Sequence, residues 1–333
     1  MPSPSVDIIV PAWNNPDNAR RCLSAILTHS PRARLIIVDN ASNRQTQLVL
    51  EEFAEQLGER CIFLSSDKSE EFIKTINKAL TRSDSDFSVI VRPHITVTKN
   101  WLDGLIKAAD TGIASPHFSG HPPFAVPLVR NCSVTETFAL SFSALAIKTE
   151  VRMLIGGFDE QLDGGLWCLR DYICRAGSKG YRTHMASTST VVCAPETLMG
   201  SNSRRKELDD TSQSIYSKRW GIARNYGVYF GPNATADTLT DTMKTFLDAA
   251  RRGHHFTLFL HPNQVRQFTL YGWNSLHTSI ETKALSRFSP RRDLLRVLQN
   301  REIIAVQGTP EAVFDDNSPV IPFRKLAGEI GQA

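Results

Sequence analysis

The strongest constraint on the fold is the alternation of short apolar runs with amphipathic segments in the amino-terminal part of the chain. The runs VDIIVPAW, ARLIIVDN, CIFLSS and FSVIV are rich in β-branched residues, and the segments between them have apolar residues at helical spacing. Continuous apolar strands joined by helices are typical of a parallel sheet covered on both faces. The sequence therefore predicts an α/β fold with a doubly wound, mostly parallel sheet.

The pattern becomes less regular after Trp101. Helices are predicted at WLDGLIKAA and RDYICRAGSKGYR, and a strand at SFSALAIKT. The polar stretch MGSNSRRKELDDTSQSIYSKRW has no apolar period and is predicted to be a mobile loop. Helix-like and strand-like segments alternate again beyond Gly231. We expect residues 1–230 to form one domain and residues 231–333 a smaller appended α/β unit of unknown role.

The composition excludes several classes of protein. Apolar residues make up 41% of the chain and charged residues 22%, which is ordinary for a globular protein. The net charge of +4 is too mild to indicate nucleic-acid binding. The six cysteines include no C-x-x-C pair, and neither a signal peptide nor a membrane-spanning stretch is visible. These features predict a soluble, cytoplasmic protein.

The predicted strands of the first sheet end in polar or charged residues. Ligands bind open parallel sheets beyond the carboxyl ends of the strands. Those ends are Pro11-Ala12-Trp13-Asn14, Asp39-Asn40, Ser65-Ser66-Asp67 and Arg92-Pro93-His94. No G-x-G-x-x-G follows the first strand, which disfavours a dinucleotide site. Taken alone, Asp39-Asn40 is more typical of a turn and helix cap than of a ligand site.

In combination, these strand ends are more specific. The stretch DIIVPAWNNPDNARRCL, followed by LIIVDNAS, resembles the start of the inverting family 2 glycosyltransferases, which have a GT-A fold and use nucleotide-sugar donors. EFIKTINKAL is similar to a conserved helix of that family, with its glycines lost. IGGFDEQL and RDYICRAGSKGYR resemble two later motifs. The resemblance covers about residues 6–182, and the remainder of the chain resembles no family that we can name.

The resemblance implies a set of site residues. The nucleotide would be bound by residues at the strand ends, with Asp39 accepting hydrogen bonds from the base or sugar. These residues are Pro11, Ala12, Trp13, Asn14, Asp39, Asn40, Asp67, Arg92 and His94. The acceptor would lie near Gly156, Gly157, Phe158 and Trp167. The implied partners are a UDP, GDP or dTDP sugar and a glycan or polyol acceptor, and the carboxy-terminal unit is a candidate surface for a homo-oligomer.

Two of the family's motifs are degenerate here. Where the family has an aspartate that holds a divalent cation, this sequence has Arg92 and His94. Mn²⁺ and Mg²⁺ prefer oxygen ligands, and a guanidinium opposes cation binding, so a metal site is disfavoured and no metal ligand is predicted. The usual base carboxylate is also replaced. Asp163 and Asp171 are the candidate catalytic carboxylates, although an acidic residue in the first turn of a helix, such as Asp171, is more often structural.

Two hypotheses remain. In one, the protein is a transferase in which Arg92 replaces the metal, because a guanidinium binds phosphate bidentately and supplies positive charge to a leaving diphosphate. In the other, catalysis has been lost and the fold serves as a nucleotide-, glycan- or partner-binding module. A different α/β nucleotide-binding enzyme is disfavoured because no glycine-rich phosphate loop follows the first strand.

Overall fold

The computed structural model describes residues 3–122, 132–196, 201–298, 302–314 and 320–331. The strands are β1 (Val6–Ala12), β2 (Arg34–Asn40), β3 (Cys61–Ser66), β4 (Phe87–Val91), β5 (Ile95–Val97), β6 (Gly112–Gly120), β7 (Val134–Glu136), β8 (Ala144–Lys148), β9 (Arg182–Cys193), β10 (Asn225–Tyr229), β11 (His255–Leu260), β12 (Ile280–Ala284), β13 (Ile303–Gln307) and β14 (Val320–Pro322). The helices are α1 (Pro16–His29), α2 (Arg44–Leu57), α3 (Phe72–Leu80), α4 (Trp101–Ala109), α5 (Thr149–Ile155), α6 (Trp167–Ser178), α7 (Asn202–Trp220), α8 (Ala236–Ala250), α9 (Pro262–Leu270), α10 (Pro290–Leu298) and α11 (Phe323–Gly331).

The chain divides into two compact units. The first lies within Met1–Leu128 and Ala139–Tyr216, and the second within Val129–Phe138 and Ser217–Ala333. Within the described residues of the first unit, the strand order is β3-β2-β1-β4-β8-β6-β9-β5. β1 pairs in parallel with β2 and β4, while β8 runs antiparallel to β4 and β6. This confirms the predicted doubly wound, mostly parallel sheet.

Apolar strands form the centre of the first unit. Ile8, Ile9 and Val10 of β1 have no exposed surface, and neither do Leu35, Ile36 and Ile37 of β2. Strands that are buried on both sides must be apolar at consecutive positions, which is why these runs do not alternate. The parallel register places Ala12 beside Asp39, so that β1 and β2 end at the same edge.

The second unit has its own parallel sheet, in the order β12-β11-β10-β13-β14. Its core includes Tyr226, Val228, Phe246, Phe256 and Leu258. The prediction of a smaller α/β unit in the carboxy-terminal part is thereby confirmed. No helix in the described parts of either unit is long and apolar enough to cross a bilayer.

The sequence-based prediction of a mobile loop between residues 199 and 220 is wrong for residues 202–220, which form α7; residues 199 and 200 lie outside the described residues. The helix buries only Ser212 and Tyr216, so it has no apolar period for a sequence pattern to reveal. Within the first unit, Ser212 accepts a hydrogen bond from the Gly164 amide (3.0 Å), and Trp167 donates to Asp209 (3.0 Å). Polar contacts therefore hold a helix that propensity alone does not predict.

A buried carboxylate fixes the start of β1. Asp7 has no exposed surface, and its carboxylate accepts two hydrogen bonds from Arg34, both at 2.8 Å. Burial raises the pKa of Asp7, but hydrogen bonds from Arg34, Ser85 and Ser83 outweigh it, and the net pKa lies below the ordinary value. The charged form is therefore favoured in the folded protein.

We predict that Arg34→Met lowers the free energy of unfolding by about 3 kcal/mol at pH 7, because it leaves a buried charge unpaired. Since the folded-state pKa of Asp7 is depressed, its contribution is complete above the ordinary carboxyl pKa and is lost as the pH falls through the folded-state value. The deficit of Arg34→Met should therefore shrink in acid, as measured by urea unfolding at pH 7 and pH 3.5. Arg20→Met, which breaks an exposed pair with Glu52, is the control and should have no measurable effect. A pH-independent deficit would contradict this prediction.

Candidate functional site at the strand ends

The loops after β1 and β2 are joined by hydrogen bonds. The Asn14 amide donates to the Ser42 hydroxyl (3.0 Å), and the Asn43 amide donates to the Asn14 side-chain oxygen (2.8 Å). Asn14, Asn15 and Ala41 have φ values of 52°, 59° and 55°, in the left-handed region that side-chain-bearing residues rarely adopt. Strained backbone of this kind occurs where a loop holds a ligand-binding geometry.

The predicted residues of β2 and β3 differ in their surroundings. Asp39 is buried and accepts a hydrogen bond from the Ser42 amide (3.0 Å). Asn40 is fixed in both directions by Glu70, whose amide donates to it at 2.7 Å and whose carbonyl accepts from it at 2.9 Å. Asp67 is exposed. Of these three side chains, only Asn40 lines the cavity described below.

Arg92 directly follows β4 and is paired with a carboxylate. Its guanidinium lies 4.8 Å from the centre of the Phe72 ring and forms an ion pair with Glu196. Burial lowers the pKa of Arg92, while Glu196 opposes this change. Since the guanidinium pKa is ordinarily above 12, the side chain stays charged at neutral pH.

His94 is nearly fully buried and uncharged. Its Nε2 lies 3.2 Å from the Ser143 hydroxyl, within hydrogen-bond distance. Burial, reinforced by the charge of Arg92, lowers its pKa to about 4. A neutral imidazole adds no charge to the site, so Arg92 supplies the positive charge there.

Residues at the ends of β1, β2 and β4 line a small cavity of about 60 Å³. Of the predicted nucleotide-binding residues, Pro11, Ala12, Trp13, Asn14, Asn40, Arg92 and His94 line it. Sequence reasoning missed Asn18, Thr75 and Glu196, which line it as well. No local motif marks Glu196, since it is far from Arg92 in sequence and is brought there by the sheet. A larger cavity of about 1010 Å³ lies at the opposite edge, beside the start of β1 and β4, away from every predicted site residue.

The residues at this edge do not suit a hard divalent cation. His94 is bonded to Ser143, and Glu196 is paired with Arg92. Across the described parts of the chain, no three His, Cys, Asp or Glu side chains are grouped so that they could hold a metal ion. The positive charge of the Arg92 guanidinium would repel a divalent cation bound in this cavity.

Asp163 lies at the amino-terminal end of α3. The backbone amides of Ile73 (3.0 Å) and Phe72 donate to its carboxylate. Burial raises its pKa to about 6, and Glu71 and Glu160 add to the increase against the effect of these two hydrogen bonds. Because Phe72 lines the cavity, Asp163 is next to the site without lining it.

Asp171 is linked through Arg175 to the loop after α5, which contains the predicted acceptor-side residues Gly156, Gly157 and Phe158, whereas Trp167 begins α6. Asp171 is buried and accepts a hydrogen bond from Arg175 (2.8 Å), which also donates to the carbonyls of Ile155 and Gly157. Asn77 makes two hydrogen bonds to the Phe158 backbone, both at 2.9 Å. None of the predicted acceptor-side residues Gly156, Gly157, Phe158 and Trp167 lines the cavity.

The comparisons with known proteins agree with this geometry. The family model described as Glycosyl transferase family 2 matches residues 7–120, which include β1 to β4 and Arg92. The matched residues lie within the first unit and make up less than half of the chain. No match was found among curated proteins.

Solved structures of glycosyltransferases are similar to this chain. A crystal structure of GalNAc-T7 with UDP, GalNAc and Mn²⁺ has a TM-score of 0.53 at 16% identity, covering 66% of this chain and 50% of that one. The mannosyltransferase PcManGT from Pyrobaculum calidifontis, in complex with GDP-Man and Mn²⁺, has a TM-score of 0.48 at 19% identity, covering 58% of each chain. S. aureus TarS has a TM-score of 0.47 at 16% identity, covering 57% of this chain and 37% of that one. The chain thus spans less than two thirds of each of these structures. The similarity to GalNAc-T7 confirms the predicted GT-A fold.

We predict that Asp163→Asn changes the pH dependence of stability. The raised folded-state pKa means that the wild-type free energy of unfolding falls as the pH rises from about 4 through 6, by about 2 kcal/mol after allowance for solvent screening of this partly exposed carboxyl. Asparagine retains the oxygen that caps α3 but does not ionise, so the variant should lack this decline. Urea unfolding at pH 4.5 and pH 7.5 measures the difference, with Asp159→Asn as the matched cap control. Parallel stability curves for Asp163→Asn and the wild type would contradict the prediction.

Proposed function

We propose that the first unit is a glycosyltransferase that moves a sugar from a nucleoside-diphosphate donor to a hydroxyl of a glycan or polyol, with inversion. The observation that carries this proposal is that Asn14, Asn40 and Arg92 line the same cavity. All three residues lie within the segment that matches the family model. Asparagine amides both donate and accept, which suits recognition of a base and ribose. Arg92 supplies the positive charge that a diphosphate requires.

In the proposed mechanism Arg92 takes the place of a divalent cation. The guanidinium presents parallel N–H donors that match two phosphate oxygens. As the bond between the anomeric carbon and the phosphate oxygen breaks, its electron pair passes to the nucleoside diphosphate. Negative charge then grows on the leaving group, and a fixed guanidinium in a poorly solvated site stabilises this charge.

We assign the general base to Asp163. In an inverting transfer the acceptor oxygen bonds to the anomeric carbon as its proton passes to a carboxylate. Asp163 is next to Phe72 of the cavity, and a pKa of about 6 leaves it ionised at neutral pH yet more basic than an ordinary carboxylate. Asp171 suits the role less well, because it is buried and bonded to Arg175.

A binding module on the same fold is the second candidate. The cavity of about 60 Å³ is smaller than an ordinary ligand pocket, and Arg92 already has a carboxylate partner. A module that has lost catalysis would bind a nucleotide, a glycan or a protein without turnover. The two candidates therefore differ in whether a bound donor is consumed.

We predict that UDP, GDP or dTDP binds without a divalent cation, and that Arg92→Gln weakens this binding roughly 10- to 100-fold through loss of a charge-assisted hydrogen bond. Calorimetric titration with each nucleotide, in EDTA and in Mn²⁺, measures both effects. Arg82→Gln, an exposed arginine beyond α3, is the control. Binding that requires Mn²⁺ and is equal in Arg92→Gln and the wild type would contradict the assignment of Arg92.

We further predict that Asp163→Asn lowers kcat by about 100-fold or more, with little change in nucleotide affinity, because it removes the base and keeps the cap of α3. Release of nucleoside diphosphate from a donor that binds provides the assay, with Asp159→Asn as the control. Full activity in Asp163→Asn would exclude Asp163 as the base. Binding of every nucleotide without turnover by the wild type would favour the binding module.

A further inference from the structure

Glu196 reaches Arg92 through the pairing of two strands. β5 and β9 are antiparallel, with Ile95 opposite Cys193, and the Ala194 amide donates to the His94 carbonyl (2.9 Å). Arg92 lies on the other side of a turn at Pro93 and His94, in which the Ile95 amide donates to the Arg92 carbonyl (2.9 Å), and Glu196 lies three residues beyond the end of β9. The pairing of β5 with β9 thus brings the segment after β9 beside this turn, where Glu196 forms the ion pair with Arg92.

The pair neutralises the cavity. Among the described residues that line it, Arg92 and Glu196 carry the formal charges at neutral pH, since His94 is uncharged and the others are apolar or amide and hydroxyl side chains. Each of the two charged side chains is 27% exposed, and one face of the guanidinium is covered by Phe72. In such partly desolvated surroundings, a charge pair is stronger than on an open surface.

We propose that the Glu196 carboxylate occupies the position of a donor phosphate and must leave Arg92 before a nucleotide binds. This inference rests on the proposed function, which assigns Arg92 to the diphosphate. An incoming anion exchanges with the carboxylate, so only the difference between the two interactions with Arg92 contributes to affinity. A nucleoside diphosphate, which carries more negative charge than a monophosphate, would then displace Glu196 from Arg92 more easily.

A structural clamp is the competing role for the same pair, because the ion pair would hold the segment after β9 against the turn between β4 and β5. The two roles predict opposite effects of removing the carboxylate charge. Loss of a clamp lowers stability and leaves nucleotide affinity unchanged or weaker. If the Glu196 carboxylate competes with the nucleotide, its removal increases nucleotide affinity and reduces the difference in affinity between diphosphates and monophosphates.

The test compares wild type, Glu196→Gln, Glu196→Asp, Arg92→Gln and the double variant Arg92→Gln/Glu196→Gln. Each is titrated calorimetrically with UDP, GDP and dTDP and with the corresponding monophosphates, and circular dichroism records the melting temperature. Glu196→Gln should bind the preferred diphosphate about tenfold or more tightly than the wild type, on the scale of a partly buried charge pair. Glu196→Asp, whose side chain is shorter by one methylene, should have a diphosphate affinity between those of the wild type and Glu196→Gln. In the Arg92→Gln background the glutamate substitution should have no effect, and the exposed Glu59→Gln is the control.

The outcomes separate this inference from the proposed function. Equal or weaker diphosphate binding by Glu196→Gln, with binding by the wild type intact, overturns the role of Glu196 and leaves the glycosyltransferase proposal standing. Tighter binding in Glu196→Gln that persists in the Arg92→Gln background overturns exchange at Arg92. Absence of binding in every variant overturns both proposals. Binding that appears only when Glu196 is changed supports the exchange directly.

Discussion

The parallel alignment of β1, β2 and β4 is the constraint on which the site depends. Backbone hydrogen bonds fix Ala12 beside Asp39 and Ile9 beside Ile90, so three strands end at one edge. The residues that follow them are then close in space although they are distant in sequence. Their loops carry the strain of a left-handed Ala41, which the hydrogen bonds among Asn14, Ser42 and Asn43 hold in place.

The charge at this edge is set by burial and by pairing together. Arg92 lies against Phe72 and is charged, while His94 beside it is neutral because ionising a second buried group next to a guanidinium is costly. Glu196 compensates the arginine in the described conformation. The site thus combines one permanent cation with one carboxylate, a combination that suits anion exchange better than metal binding.

The amino-terminal end of α3 connects this site to the candidate base. Asp163 caps α3 from the loop before α6, and α7 contacts this loop at Gly164 and the start of α6 at Trp167. Phe72, in the first turn of α3, lines the cavity. A carboxylate that bonds two backbone amides is held in one position, while its burial makes it more basic. Positioning and basicity therefore have a common origin in the packing of this loop.

The apolar periods of the sequence determined the α/β class, the strands β1 to β4 and the helices α1 to α3, because buried parallel strands and amphipathic helices have strong local patterns. The family resemblance named seven of the residues that line the cavity. It did not reveal Glu196, which the pairing of β5 with β9 brings beside Arg92 from a distant part of the sequence. It also did not reveal α7, whose few buried residues follow no period. Local patterns decide which segments become strands and helices, whereas long-range pairing and burial decide which charges meet, and only the tertiary structure could show them.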